Sequence, residues 1–261
     1  MNFDLVLPAS LFAFVLLIIF LNKRLEKKIK SLFGGETKLS RRDVILLIAA
    51  MGIMVTVIAL LPNLAIQILY ISVFSYTLFS FAYLSSRKWY VAVLPPALFV
   101  ASYLLYWNLL TFNAFAFVLA CIVTIYMASL FSWKTTLIFA SLLTALDVVQ
   151  VFVTGLMGQL AEKAVFQLSL PVVIMLPTYP STGKIILGLG DIFLSGLLSI
   201  QSFKSKGLRA GIISSVTISF AFFLFEIVGF NTTYFTYFPA TIVVLAGWLL
   251  GTGITRITKR S

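Results

Sequence analysis

Nine apolar stretches, separated by short polar joints, leave this chain few ways to fold. A helical crossing of a bilayer core about 30 Å thick takes about 20 mostly apolar residues. In hydrocarbon, every backbone polar group must be satisfied within a helix or a closed barrel. The stretches fall at 5–22, 44–61, 64–84, 90–106, 109–131, 135–157, 185–203, 210–229 and 235–255. Composition agrees: 61% of residues are hydrophobic and 10% charged, against about 45–50% and about 25% in soluble domains. The expected fold is an all-α polytopic membrane protein with nine transmembrane helices, integral to the cell membrane. It reads as a single membrane domain over 1–261. Residues 1–134 form a scaffold of five helices, and 135–261 carry the remaining four, with 158–184 as a long outer connection. No internal repeat is visible, which gives no support to a transporter built on inverted repeats.

Turn and charge punctuation marks the joints: Gly34-Gly35 within the basic stretch 23–42, Pro62-Asn63, Arg87-Lys88, Trp133-Lys134 and Lys204 to Arg209. The joint at Trp107-Asn108 carries no charge, and a single kinked segment is the alternative there. Loops after the first, third, fifth, seventh and ninth stretches hold 8, 2, 1, 3 and 3 Lys and Arg; elsewhere only Lys163 and Lys184 are basic. Basic loops stay cytoplasmic, so the amino terminus is expected outside and the carboxyl terminus in the cytoplasm. The amino-terminal stretch lacks a basic n-region and reads as a retained span.

The net charge of +11 is dispersed as short flanks to apolar runs. It points to anchoring at anionic lipid rather than to nucleic acid. Cys121 is the sole cysteine, so no disulfide framework is possible within the chain. Histidine is absent. Ser–His and Cys–His nucleophiles and an H-E-x-x-H zinc site are therefore excluded, and a hydrolase would have to use carboxylates or lysine.

Two carboxylates stand where they are costly. Asp147 lies midway along the sixth stretch and Asp191 early in the seventh, and an Asp at the centre of a membrane helix costs roughly 2.5–3.5 kcal/mol. Helical rise places Asp147 roughly 18 Å from the cytoplasmic side and Asp191 roughly 21 Å. Antiparallel neighbours thus bring both acids to one level, where they can share a water. One ionised carboxylate takes a proton from that water while the other, protonated, donates to a scissile carbonyl. Close like charges resist ionising together, so such a pair titrates as a unit.

Gly188 and Gly190 flank Leu189 just before Asp191. Glycine costs a helix about 1 kcal/mol relative to alanine, but it permits local unwinding and the close approach of another backbone. Val172 to Met175 and Ile185-Ile186-Leu187 are rich in β-branched residues and are expected to form short strands. The half-length apolar run Ala164 to Met175 is expected to lie in the interface or re-enter. Pro239, in Phe238-Pro239-Ala240-Thr241, is expected to disrupt a turn at roughly 24 Å from the cytoplasmic side. Pro95-Pro96-Ala97-Leu98 is a competing match by letters, placed at the wrong depth.

An Asp in one span, Gly188-Leu189-Gly190-Asp191 in the next long span, and Pro239-Ala240 near the start of the last of nine spans resemble the presenilin and signal peptide peptidase family of intramembrane aspartyl proteases. Ile192 and Gly196 bring the motif closest to the signal-peptide-peptidase form, and the inferred orientation matches that branch. The small size resembles prokaryotic, archaeal members. The resemblance implies that Asp147 and Asp191 are the catalytic pair and that Pro239, Ala240 and Thr241 belong to the active-site wall. It also implies that Ile185, Ile186 and Leu187 pair with an extended substrate, with no metal or organic cofactor. The implied substrates are transmembrane helices and remnant signal peptides. Two positions depart from the pattern: Leu146 stands where the family has Tyr, and Thr241 replaces the Leu of P-A-L.

Other features read as structural. Glu226, the third acid within a span, is expected to reach the interface or pair locally, and Lys184 to anchor at the interface. The aromatic residues are expected in cores and interfacial belts. Asn231-Thr232-Thr233 is a glycosylation sequon close to the membrane, and 23–42 a lipid-facing basic loop. The alternatives to proteolysis within membranes are a carboxylate-gated channel or carrier and a prepilin-type G-x-G-D peptidase. The second lacks an early aspartate and a Lys soon after Asp191.

Overall fold

The computed structural model describes residues 3–32, 38–180, 182–231 and 238–258. Its elements run α1 (Val6–Leu32), α2 (Arg41–Leu60), α3 (Asn63–Ser86), α4 (Trp89–Ala92), α5 (Leu94–Leu105), α6 (Leu109–Leu130) and α7 (Trp133–Val148). After α8 (Leu156–Ala161) come β1 (Val173–Pro177), β2 (Lys184–Gly188), α9 (Leu189–Lys206), α10 (Leu208–Asn231) and α11 (Ala240–Ile257). Among the described residues, seven helices are long and apolar enough to cross a membrane. The protein is an all-α membrane-type fold with one small hairpin.

Local signals explain the helix starts. Ser40 with Asp43, Asn108 with Thr111 and Ser132 with Thr135 form reciprocal capping boxes for α2, α6 and α7, each satisfying orphan donors of a first turn. The uncharged joint at Trp107-Asn108 is thus a true break.

Several boundaries differ from the sequence reading. Stretch 90–106 is a short apolar pair, α4 and α5, broken at Val93. Helix α1 continues through Leu32 instead of ending near 22, because Lys and Glu are good helix formers. The glycine pair at 34–35 lies outside the described residues, as do Thr232 and Thr233 of the sequon. Stretch 135–157 leaves α-helical geometry after Val148, passes through a π-helical turn at Val149–Val153, and stops at Gly155 with φ +64°. The run Ala164 to Met175 forms no re-entrant helix; it divides between a second π-helical turn, Glu162–Gln167, and β1. Stretch 185–203 begins as β2 and becomes helical only at Leu189. Pro239 precedes α11 as its N-cap rather than interrupting it, where its missing N–H costs no helical bond.

Helix α9 is the axle of the bundle. It packs against α1, α6, α7, α10 and α11, and every residue from Leu194 to Ser202 is buried. Its C-terminal polar side chains bond within the bundle: Gln201 Nε2 donates to the carbonyls of Ala128 (3.3 Å) and Phe131 (3.1 Å), and Lys204 Nζ to Ala128 (2.8 Å). These bonds satisfy carbonyls left open at the end of α6. Trp248 Nε1 on α11 donates to Ser202 Oγ at 2.9 Å.

Small residues set the closest crossings. A Cβ on Gly247 would lie 2.6 Å from Ile218 Cα and 2.7 Å from the Thr217 carbonyl, so α11 meets the backbone of α10 directly. With Gly251 one turn on, this is the small-xxx-small packing of membrane helices. By contrast α2 and α3 expose Ile45, Leu46, Ile53, Leu60, Leu64 and Ile68, an apolar surface suited to lipid.

The connection before β1 is tied down by aromatic side chains. Tyr70 Oη donates to the Pro171 carbonyl (2.8 Å), Tyr103 Oη to Leu168 (2.8 Å) and Trp107 Nε1 to Ser169 (3.0 Å). Behind them, Phe115 stacks on Trp107, Phe99 meets both rings edge-on, and Phe74 packs against Phe99. On the opposite flank Asp4, fully buried, accepts from Leu7 N (2.9 Å) and Tyr179 N (2.7 Å). Leu5 N donates in turn to the Tyr179 carbonyl at 2.9 Å.

Candidate active site

Each aspartate's carboxylate meets the start of a helix, Asp191 that of its own and Asp147 that of another. Gly188 ends β2 and is the N-cap of α9, which makes Asp191 the third residue of the helix. From that position a carboxylate reaches back to the N-cap N–H, the acidic half of a capping box. The Gly188 N–H is directed at the Asp191 carboxylate. Gly188 has φ −65° and needs no left-handed backbone. Its requirement is space, because an added Cβ would stand 2.8 Å from Asp191 Oδ2. At Gly190 an added Cβ meets nothing within 4 Å and the residue is exposed, so nothing within the chain demands glycine there.

Asp147 lies one residue before the end of α7, immediately ahead of the π-helical turn. Such turns interrupt the regular ladder and free a segment to re-aim its side chains. Its carboxylate meets the first turn of α11, where Thr241 Oγ1 donates to Asp147 Oδ2 at 2.7 Å. The Thr241 backbone N–H is directed at the same carboxylate. The N-terminus of a helix offers unpaired N–H groups and a favourable dipole to an anion. The two half-buried acids lie within electrostatic reach of each other. Like charges within reach of one another resist ionising together, and a paired acid and base is the arrangement that activates water toward a carbonyl.

The expected strands are present as an antiparallel pair, with Ile174 opposite Leu187, Met175 opposite Ile186 and Leu176 opposite Ile185. Asn113 on α6 covers the outer edge of β1: its Oδ1 accepts from Met175 N (2.9 Å) and its Nδ2 donates to Met175 O (2.8 Å). Because Met175 bonds outward, Ile174 and Leu176 bond inward to Leu187 and Ile185. The N–H and C=O of Ile186 then point to the free edge of β2. Among the described residues nothing comparable covers that edge. Leu187 is buried in the core, whereas Ile186 is 43% exposed.

No family model matches this chain, and a search of the curated proteins finds no relative.

The remaining sequence candidates fall into place as follows. Leu189 and Ala240 are half-buried and pack on the main core, and Pro239 is buried beside them. Leu146 points away from the pair toward α2, where a Cβ on Gly52 would come 3.1 Å from its Cδ1. Pro95 and Pro96 open α5, which packs on α3 and α4. Lys184 is exposed at the start of β2. Glu226 is 6% exposed, its electrostatic neighbour is Asp4, and among the described residues neither carboxylate oxygen has a hydrogen-bond partner. The expected exposure or local pairing is thus not found there, because α10 carries the residue inside the bundle.

Two functional placements escape sequence reasoning. The hydroxyl of Thr241, read as a wall position, donates to Asp147; only the meeting of α7 with α11 reveals it. Asn113 finishes the hairpin edge from α6, and its only signal was a single amide in a run otherwise made of apolar residues and hydroxyls.

Proposed function

We propose that this protein is an intramembrane aspartyl endopeptidase resembling signal peptide peptidase, hydrolysing peptide bonds within transmembrane segments of other proteins. The observation that carries the reading is the approach of Asp147 and Asp191 on neighbouring helices, each oriented at a helix start. In this reading α4–α5 and α9 complete nine crossings, with the amino terminus outside the cell membrane and the carboxyl terminus in the cytoplasm.

The free edge of β2 supports a route for substrate. A peptide bond inside a helix is shielded by its own hydrogen bonding, so it must be drawn out before attack. An extended segment adding to the Ile186 edge would replace its lost helical bonds with sheet bonds. The open space at Gly190 lets its backbone pass close to Asp191. The ionised member of the pair then removes a proton from water. The oxygen bonds to the scissile carbon while the protonated member donates to the carbonyl oxygen. Collapse of the tetrahedral species breaks the C–N bond, and the amine leaves with a proton returned by the pair. No cofactor takes part. Substrates are transmembrane helices and signal-peptide remnants, preferred with their amino end cytoplasmic.

The test is cleavage of a synthetic transmembrane peptide by purified protein in detergent. Asp147→Asn and Asp191→Asn are each expected to reduce turnover below detection. Full-rate cleavage by either variant overturns the assignment. Aspartate-dependent ion flux in liposomes without proteolysis would replace it with a channel or carrier.

A further inference from the structure

Thr241 is placed to do more than line a wall. It is the second residue of α11, its side chain is 6% exposed, and its hydroxyl lies 2.7 Å from Asp147 Oδ2. Side chains in a helix lean toward its N-terminus, so hydroxyl and backbone N–H present two donors on the same side. Asp191 has a donor within its own helix, from Gly188. Asp147 sits where α7 is giving way to a π-helical turn, and its orientation depends on contacts from another element.

Resting on the protease reading, we propose that Thr241 is a positioning residue: its hydroxyl fixes the rotamer of Asp147 and holds one carboxylate oxygen, so that the pair meets the attacking water in one geometry. The position demands a hydroxyl, not bulk. Valine matches threonine in shape but cannot donate, and leucine fills the wall without donating. Hydrogen bonds to charged groups contribute about 1.5–3 kcal/mol, and this converts to a fold-change in rate of about 10- to 100-fold.

The experiment compares wild type, Thr241→Ser, Thr241→Val and Thr241→Leu on one synthetic transmembrane peptide, resolving kcat from KM, with thermal unfolding recorded for each. Thr241→Ser is expected to stay within about threefold of wild type. Thr241→Val and Thr241→Leu are expected to lose about 10- to 100-fold in kcat, with KM unchanged in Thr241→Val. A wall role gives the opposite split, with Thr241→Val at wild-type kcat and Thr241→Leu altered in KM; that result overturns the inference alone. Equal losses in Thr241→Ser and Thr241→Val overturn it too. A wild type that cleaves nothing overturns the protease reading and this inference together.

Discussion

The starts of α9 and α11 both present donors to a carboxylate, but α9 supplies its own acid and α11 borrows one. At α9, strand, glycine and Asp191 follow one another within a few residues, and the geometry is set by the absence of a Cβ at Gly188. At α11, Pro239 fixes where the helix begins, and the acid arrives from α7, 94 positions away in sequence. The first arrangement is local and survives shifts between helices. The second exists only while α7 and α11 keep their crossing. A paired-acid site built this way has one fixed half and one half sensitive to packing.

The difference can be broken from either side. Gly188→Ala strikes the local half, driving a Cβ into the Asp191 carboxylate. Turnover of a transmembrane peptide is expected to fall by about 100-fold, the order associated with a displacement near 1 Å. Gly247→Val strikes the borrowed half, because added volume pushes α11 from the Ile218 backbone. Stability is expected to drop by about 1–3 kcal/mol in thermal unfolding, with activity falling alongside it. If Gly247→Val leaves turnover intact, the Asp147 clasp is less dependent on helix crossing than argued. Asn113→Ala uncovers the edge of β1 and removes two bonds to Met175. A loss of about 1–2 kcal/mol and faster amide exchange at Met175 are expected. The smallest effect on the fold belongs to Gly190→Ala, whose new methyl meets nothing. It should change stability by less than about 0.5 kcal/mol while raising KM, if a guest backbone passes there.

What the sequence disclosed follows the same division. Asp191 with its glycines was readable because its environment is built from its neighbours in the chain. The two strands were readable from β-branched residues at 172–175 and 185–187, but their pairing with each other was not. Most long apolar helices were equally visible, since lipid-facing positions must be apolar whatever their partners. Helix α9 was harder to delimit. The stretch read at 185–203 merges the end of the hairpin with the helix, and Ser195, Ser199 and Gln201 lie inside because α9 is buried by protein instead of lipid. The extension of α1 to Leu32 was hidden because its last turns are basic, although Lys and Glu favour helix. Thr241 and Asn113 act on residues far away in sequence, and no spacing rule reports such meetings.

Asp4 gathers the beginning of the first helix and the turn between the strands into a single knot. Trimming the leading residues, or charging them with a fusion partner, would therefore loosen a loop more than 170 positions downstream. Purification handles belong at the other extremity of the polypeptide.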